Sequence, residues 1–340
     1  MTNDFLNQFR KIFENDKSFM ESWLVAWDYQ NKRSKQKSAY KNEQPSDFFN
    51  YNGPADLPKW MRWFMPEYTD YLPKEITAPL LAKSLETDTK IISGLGLQYD
   101  FSSYAKNVGI NNVHDYLFPN FYPVPERNRI KNIIDFGAGY GRQANLWASG
   151  KTEGIFLGMD AIPNSYCLQN LYYHQLGRPV YDYVEDPKSF KIDSSKSGIY
   201  HLPTWRYDLL PDNTFDLIMF VQVLPELNSK LIRTMMKVFH RVLKPGGAIY
   251  IRDHASIWKP AGKMDVAGFL AENGFVLEFQ PHLILDGDIH GIPRIWRKID
   301  PEVQQSQTRT FEHKKQQLVE DLDSLTGGAL KSIVKKIKSK

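Results

Sequence analysis

The chain has 340 residues, 42% of them hydrophobic and 14% aromatic, which suffices for one large domain or two modest ones around a sizeable core. No apolar run approaches the roughly 18 residues of a membrane-spanning helix, and the N-terminus, MTNDFLNQFRKIFENDKSF, places charges where a signal peptide needs its apolar stretch, so a cytoplasmic protein is expected. A net charge of +4, much of it in the last ten residues, is too mild to imply a nucleic-acid partner, and the single cysteine, Cys167, excludes an internal disulfide and a multi-cysteine metal site.

From Met1 to about Tyr40, apolar residues from Phe5 to Trp27 fall near helical spacing and predict two amphipathic helices. The polar, basic stretch NKRSKQKSAYKNEQPSD then reads as a surface loop. Between Phe48 and Pro125 the chain is rich in aromatics and in helix-interrupting Pro and Gly, a pattern of short helices joined by tight turns. Residues 1–125 therefore read as a mainly helical cap, with Trp60, Trp63, Phe64, Tyr68 and Tyr71 as either pocket walls or core. After Pro125 the texture changes. Short apolar runs (NIIDF, GIFLGMD, TFDLIMFVQV, AIYIRD) alternate with helical stretches (RQANLWAS, SYCLQNLYYHQL, KLIRTMMKVFHRVL, VAGFLAENG). That alternation predicts an α/β domain over 126–300, a parallel sheet with helices on both faces, and VLEFQPHLIL and GIPRIWRKI can add two final strands at one edge. Residues 301–340 read as a polar helix, a Gly327-Gly328 break and a basic tail.

The segment IIDFGAGYGR sets Asp135 at a strand end and Gly137, Gly139 and Gly141 before a helix. Glycine serves there because the chain turns tightly and its backbone must approach a ligand. A dinucleotide fingerprint would place its third glycine one residue later, where Arg142 stands. Further signals follow in order. Asp160 ends GIFLGMD at the spacing where a carboxylate can accept ribose hydroxyls. YDLLPDNTFDLIMF offers Asp208 for the adenine side, and RVLKPGGAIYIRD supplies a helix end, a turn and another strand.

With these motifs the sequence resembles the class I S-adenosylmethionine-dependent methyltransferase superfamily. The resemblance implies a Rossmann-like, seven-stranded, mostly parallel sheet whose last strand is antiparallel, with S-adenosylmethionine bound over the carboxyl ends of the strands. Carried over, Asp135, Gly137, Gly139 and Gly141 match the cofactor loop, Asp160 the ribose acid and Asp208 the adenine-side acid; a shortened stretch from Asp208 to Phe215 departs from the family pattern, so Trp205 or Tyr207 can share that last role. More narrowly, GAGYGR followed by LYYHQLG is similar to sugar O-methyltransferases of bacterial surface-polysaccharide clusters.

Methyl transfer to an alcohol requires alignment of the acceptor and removal of its proton. His254, after the strand ending IRDHASIW, is the first candidate base, with Asp253 beside it to orient it; a hydrogen-bonded surface histidine is the alternative. In FVQVLPEL, Gln222 falls where the family approaches the methyl group and Glu226 where it meets the acceptor, though both also suit the start of a helix. Asp286, Asp288 and His290 in LDGDIHG can hold a divalent metal or form a solvated turn, and the turn is favoured. Neither the amino-group nor the cytosine-C5 nucleic-acid methyltransferase motif is present, which leaves a glycan or another small molecule, accepting on oxygen or nitrogen, as the acceptor. A nicotinamide oxidoreductase and a non-catalytic cofactor-binding or scaffold protein are the remaining alternatives. The tail ALKSIVKKIKSK spaces Leu330, Ile333, Val334 and Ile337 on one helical face and lysines on the other, so it is either a weak anchor to the inner, anionic membrane surface or a frayed end.

Overall fold

The computed structural model describes residues 2–16, 51–62, 73–121, 130–149, 153–224, 227–253, 264–280 and 292–299. All but Ile299 lie in one compact unit, Met1–Lys298. The N-terminal half supplies helices α1 (Thr2–Asn15), α2 (Asp56–Met61), α3 (Lys74–Gly94) and α4 (Val108–Phe121), with a 3-10 turn at Phe101–Lys106. There follow β1 (Ile133–Phe136), α5 (Ala144–Ala148), β2 (Ile155–Asp160), α6 (Pro163–His174), β3 (Val180–Asp182), β4 (Gly198–Pro203), a second 3-10 turn (Thr204–Leu209) and β5 (Phe215–Val221). Then come α7 (Ser229–Val242), β6 (Leu243–Asp253), α8 (Val266–Glu272), β7 (Phe275–Phe279) and β8 (Ile292–Lys298).

These strands form one sheet in the order β3-β4-β2-β1-β5-β6-β8-β7. The pairs from β3 to β6 are parallel, and β8 runs antiparallel to both neighbours. The expected Rossmann-like architecture is present, with one strand more than the seven anticipated: the short β3 extends the edge beyond β4. The sequence offered no apolar run for β4, because GIYHLP is interrupted by His201 and closed by Pro203, yet all six residues are buried. Every residue of β1 and β2 is buried too, as expected for strands covered on both faces.

The order of the strands reverses beside β1, so the turn after β1 opens at the crevice between β2 and β5 where α/β sheets bind ligands. One core face joins α1 to the sheet through Phe9, Tyr166 and Trp205. The other gathers Leu57, Met61, Ile91, Tyr104 and Val108 from the N-terminal helices against Tyr140, Trp147 and β2. The helices anticipated as a cap thus share the core of the sheet. The second amphipathic helix expected before Tyr40 lies outside the described residues, as do the aromatic positions from 63 to 72 and the basic tail. Among the described residues no helix is long and apolar enough to cross a membrane.

A single carboxylate ties this layer to the sheet. Asp115, fully buried on α4, accepts from Arg142 Nη2 (2.6 Å), Gln143 Nε2 (2.8 Å), Tyr250 OH (2.8 Å) and Arg252 Nε and Nη2 (2.7 and 2.8 Å). Burial alone would raise its pKa, but the guanidiniums of Arg252 and Arg142 hold the carboxyl well below the usual range. Removing the shared counter-charge strands two buried cations, so Asp115→Ala is expected to cost about 3–5 kcal/mol and to lower the melting temperature by roughly 10 °C. A triple change of Asp115, Arg142 and Arg252 to apolar residues should recover much of that loss. Thermal unfolding of both variants checks the claim, and a triple variant no more stable than Asp115→Ala would refute it.

Candidate active site

β1 ends at Phe136, and the chain turns over the carboxyl edge of the sheet before α5 begins. Gly137, Gly139 and Gly141 sit at φ +72°, +59° and +92°, where a side chain costs roughly 1–2 kcal/mol. They differ in what a side chain would touch. A Cβ on Gly137 would come within 2.6 Å of Val223 Cγ2, and one on Gly141 within 2.7 Å of Tyr173 Cε1. On Gly139 it would meet, among the described residues, only Trp60 Cζ3 at 3.7 Å. Neighbours therefore pack onto the first and third glycines, while the middle one keeps an accessible side beneath the half-buried indole of Trp60. From below, the Gly137 and Ala138 amides donate to the Met159 carbonyl at 2.8 and 3.2 Å.

The two motif carboxylates behave differently. Asp135 is 2% exposed, and its Oδ2 has no hydrogen-bond partner among the described residues. Burial raises its pKa to about 8; Arg142 opposes the shift, whereas Asp115 and Asp160 add to it. Asp160 is instead well supplied with donors. Its Oδ1 accepts from the Ala161 and Ile162 amides at 2.8 and 2.9 Å, and its Oδ2 from the Gly139 amide and Gln169 Nε2, both at 3.2 Å. The first pair anchors the β2–α6 turn. The second pair ties the carboxylate to the glycine loop and to α6.

Other anticipated residues are spread along the same edge. Gln222, exposed just past β5, holds the left-handed φ of +57° that bulky residues seldom adopt, with its amide donating to the Arg252 carbonyl at 2.9 Å. Such strain persists where the surroundings impose it, and strand ends beside ligand sites are common places for it. Asp253 ends β6 fully buried and faces the charge of Arg294. Asp208 turns instead to Arg206, whose Nε and Nη2 it receives at 3.0 and 2.9 Å, and its side chain is 38% exposed. Trp205 is buried against α1 and donates from Nε1 to Asp16 Oδ2 at 3.1 Å. His254, Glu226, Asp286, Asp288 and His290 lie outside the described residues, and among the described residues no cluster of three metal-ligating side chains occurs.

Thr204 and Gln169 were not anticipated from the sequence, and Tyr173 only as a member of LYYHQLG. Thr204 directly follows β4, and its buried Oγ1 has no hydrogen-bond partner among the described residues; it was hidden because β4 itself carried no strand signal. Tyr173 lies so close to β2 that a Cβ on Gly158 would fall 2.1 Å from its hydroxyl oxygen. Gln169 reaches both the Gly139 carbonyl and Asp160. The last two belong to a helix buried on almost every side, and nothing in its sequence distinguishes a core residue from one supporting a loop.

A backbone loop with an accessible face, a buried carboxylate oxygen with no hydrogen-bond donor among the described residues and a second carboxylate at the next strand end suit a ligand bearing an ammonium and hydroxyl groups. S-adenosylmethionine offers both. Residues 134–251, about a third of the chain, match a family profile described as a methyltransferase domain. No curated protein matches the chain. Among solved structures, an S-adenosylmethionine-dependent methyltransferase from Methanosarcina mazei is 16% identical, covering 52% of this chain and 98% of its own at a TM-score of 0.37. The 1,6-didemethyltoxoflavin-N1-methyltransferase of Burkholderia thailandensis, solved with that compound and S-adenosylhomocysteine, is 13% identical, covering 70% and 95% at a TM-score of 0.37. A third, from Aquifex aeolicus, is 16% identical, covering 50% and 82% at a TM-score of 0.35. The profile match falls on the β1 loop and the strands around it, so residues 134–251 carry the match to a methyltransferase domain.

Proposed function

We propose that this S-adenosylmethionine-dependent methyltransferase methylates a sugar hydroxyl in surface glycan assembly. The observation that supports the acceptor class is the placing of Trp60: its indole reaches over Gly139 at the accessible side of the loop, where an aromatic face can stack on a flat or ring-shaped substrate. The similarity of GAGYGR and LYYHQLG to sugar O-methyltransferases points the same way. Those two motifs pack together, since Tyr173 of the second fills the space a side chain on Gly141 of the first would need.

When bound, the cofactor supplies a methyl group activated on a sulfonium. The chain must then orient both partners, exclude water and take the acceptor proton. Asp135 and the glycine loop would hold the amino-acid part, Asp160 the ribose, and Thr204 the adenine side. Gln222 and Asp253 border the acceptor side at the ends of β5 and β6, and His254 is the proposed base with Glu226 as an acceptor contact. The basic tail would bring the enzyme to lipid-linked glycans at a membrane surface.

Asp135 makes cofactor binding pH-dependent. A bound ammonium favours its ionised form, so binding below the free value of about 8 releases a proton. Affinity for S-adenosylhomocysteine should therefore rise on the order of tenfold between about pH 6.5 and 8, and Asp135→Asn should flatten that slope. Calorimetry across the range, in buffers of differing ionisation enthalpy, reads both the slope and the proton release; equal slopes in the two proteins would count against the assignment.

For cofactor and acceptor, the wild type should gain melting temperature with S-adenosylhomocysteine and not with NAD or NADP. Gly139→Val should lose that gain. A panel of nucleotide sugars and glycans incubated with enzyme and S-adenosylmethionine should yield a product heavier by one methyl substitution on oxygen, and Trp60→Ala should raise the acceptor KM about fivefold. Methylation confined to nitrogen acceptors, or to no sugar in the panel, would remove the sugar assignment.

A further inference from the structure

α6 sends one phenol up beneath the glycine loop. Tyr173 is fully buried and lies against two segments at once: a Cβ on Gly158 of β2 would fall 2.1 Å from its hydroxyl oxygen, and one on Gly141 of the loop 3.3 Å from it. Gly158 pairs in register with Asp135 on β1. Such partners project to the same face of a sheet, and neighbouring strands run about 4.8 Å apart. The Tyr173 hydroxyl thus occupies the side-chain place next to Asp135, one strand spacing from its Cβ and within reach of its carboxyl. Neighbouring residues confirm the face: Ile133, two positions before Asp135, its partner Phe156, and Met219, the partner of Asp135 on β5, all pack in one cluster with Tyr173.

Tyr173 OH and Asp135 Oδ2 are both buried without a hydrogen-bond partner among the described residues. A buried polar atom in that state costs free energy, which Tyr173→Phe would avoid in nearly the same space. Donors nearby are engaged elsewhere: Arg142 with Asn112 and Asp115, and Gln169 Nε2 with the Gly139 carbonyl and Asp160. Of the charges facing Asp135, Arg142 favours its ionised form, while Asp115 and Asp160 oppose it. Around Tyr173, His201 meets the ring edge-on with centroids 5.2 Å apart. Burial, with the charges of Asp135, Asp160 and Asp182, pushes the phenol well above its usual pKa range, so it keeps the proton it has to donate.

Below about pH 8 burial keeps Asp135 protonated, and a neutral carboxyl tolerates a missing donor better than an anion does. An ammonium placed against it drives its proton out to solvent, and the resulting carboxylate needs a donor on its buried side. We propose that Tyr173 is a positioning residue for Asp135, its hydroxyl donating to the carboxylate once that group ionises and fixing it towards the ammonium of the cofactor. The phenol keeps its own proton throughout. The proposal rests on the cofactor assignment above.

Tyr173→Phe removes one oxygen and keeps the packing against Gly141 and Gly158, so it tests the hydroxyl alone. Calorimetry in buffers of differing ionisation enthalpy reads affinity and proton release together, for S-adenosylhomocysteine and for 5′-methylthioadenosine, which lacks the ammonium. At pH 8 the wild type should release about half a proton per S-adenosylhomocysteine bound, as for a free group titrating near that value. In Tyr173→Phe the free carboxyl lacks its donor and titrates higher, so release should approach one proton. At pH 7 the variant should bind S-adenosylhomocysteine roughly tenfold more weakly, with methylthioadenosine changed less than about twofold. Unliganded at pH 6.5, where Asp135 is protonated, it should melt no lower than the wild type. Unchanged proton release, or equal losses for the two ligands in a variant that melts lower or does not fold, would assign the hydroxyl to the fold and overturn the positioning role while leaving the cofactor assignment standing. A wild type that binds neither ligand would overturn the cofactor assignment itself, and the proposal with it.

Discussion

The pairing of Asp115 with Arg142 and Arg252 is the constraint on which the site depends. It joins three segments far apart in sequence: α4, the residue that closes the glycine loop, and the carboxyl end of β6. Tyr250 and Gln143 donate to the same carboxylate, so the desolvation of two guanidiniums and one carboxylate is offset by a saturated set of charge-assisted bonds. Arg142 is thereby drawn under α4 and away from the accessible side of the loop. Asn112 and Asn111 also accept from the two arginines, so the helix contributes a polar seam and not only an apolar face.

Around that anchor, loop support and ligand access are segregated. Val223 and Tyr173 pack against Gly137 and Gly141, Met159 holds two loop amides, and Gln169 holds the Gly139 carbonyl. A second polar knot continues the support below: Asp88 on α3 accepts from Tyr104, Asn145 and Tyr172, tying α3 to α5 and α6. Among the described residues, the side beneath Trp60 is left for a ligand. Because a preformed loop spends little free energy on ordering when it binds, this division favours affinity and correct alignment together.

The glycine loop and its two carboxylates were legible in the sequence because they obey local rules. A left-handed turn between strand and helix demands glycine, and a strand end places an acid at a predictable separation. Asp135, Gly137, Gly139, Gly141 and Asp160 follow from those rules at the strand ends where the structure has them. Asp208 shows where such rules stop. It has the expected residue type near the expected strand, yet its side chain finds Arg206 two residues away, a competition that spacing does not resolve. The LYYHQLG motif shows the converse: its meaning lies in packing, as Tyr173 lies against two glycines from different segments.

By itself the sequence determined the alternation of strand and helix, the buried parallel sheet and the glycine turn, since each depends on periodicity or on the conformational demands of neighbouring residues, while the class of cofactor was implied by the resemblance of its motifs to a known family. Only the tertiary structure decided that Asp135 keeps a buried oxygen without a hydrogen-bond partner among the described residues, that Asp160 braces the loop it adjoins, that a strand broken by His201 belongs within the sheet, next to its edge strand, and that Asp115 and Gln169 hold the loop from behind. The physical reason is range. Hydrogen bonds between buried polar groups are set by residues tens to more than a hundred positions apart, and in one dimension a histidine or glutamine in the core looks like one on the surface.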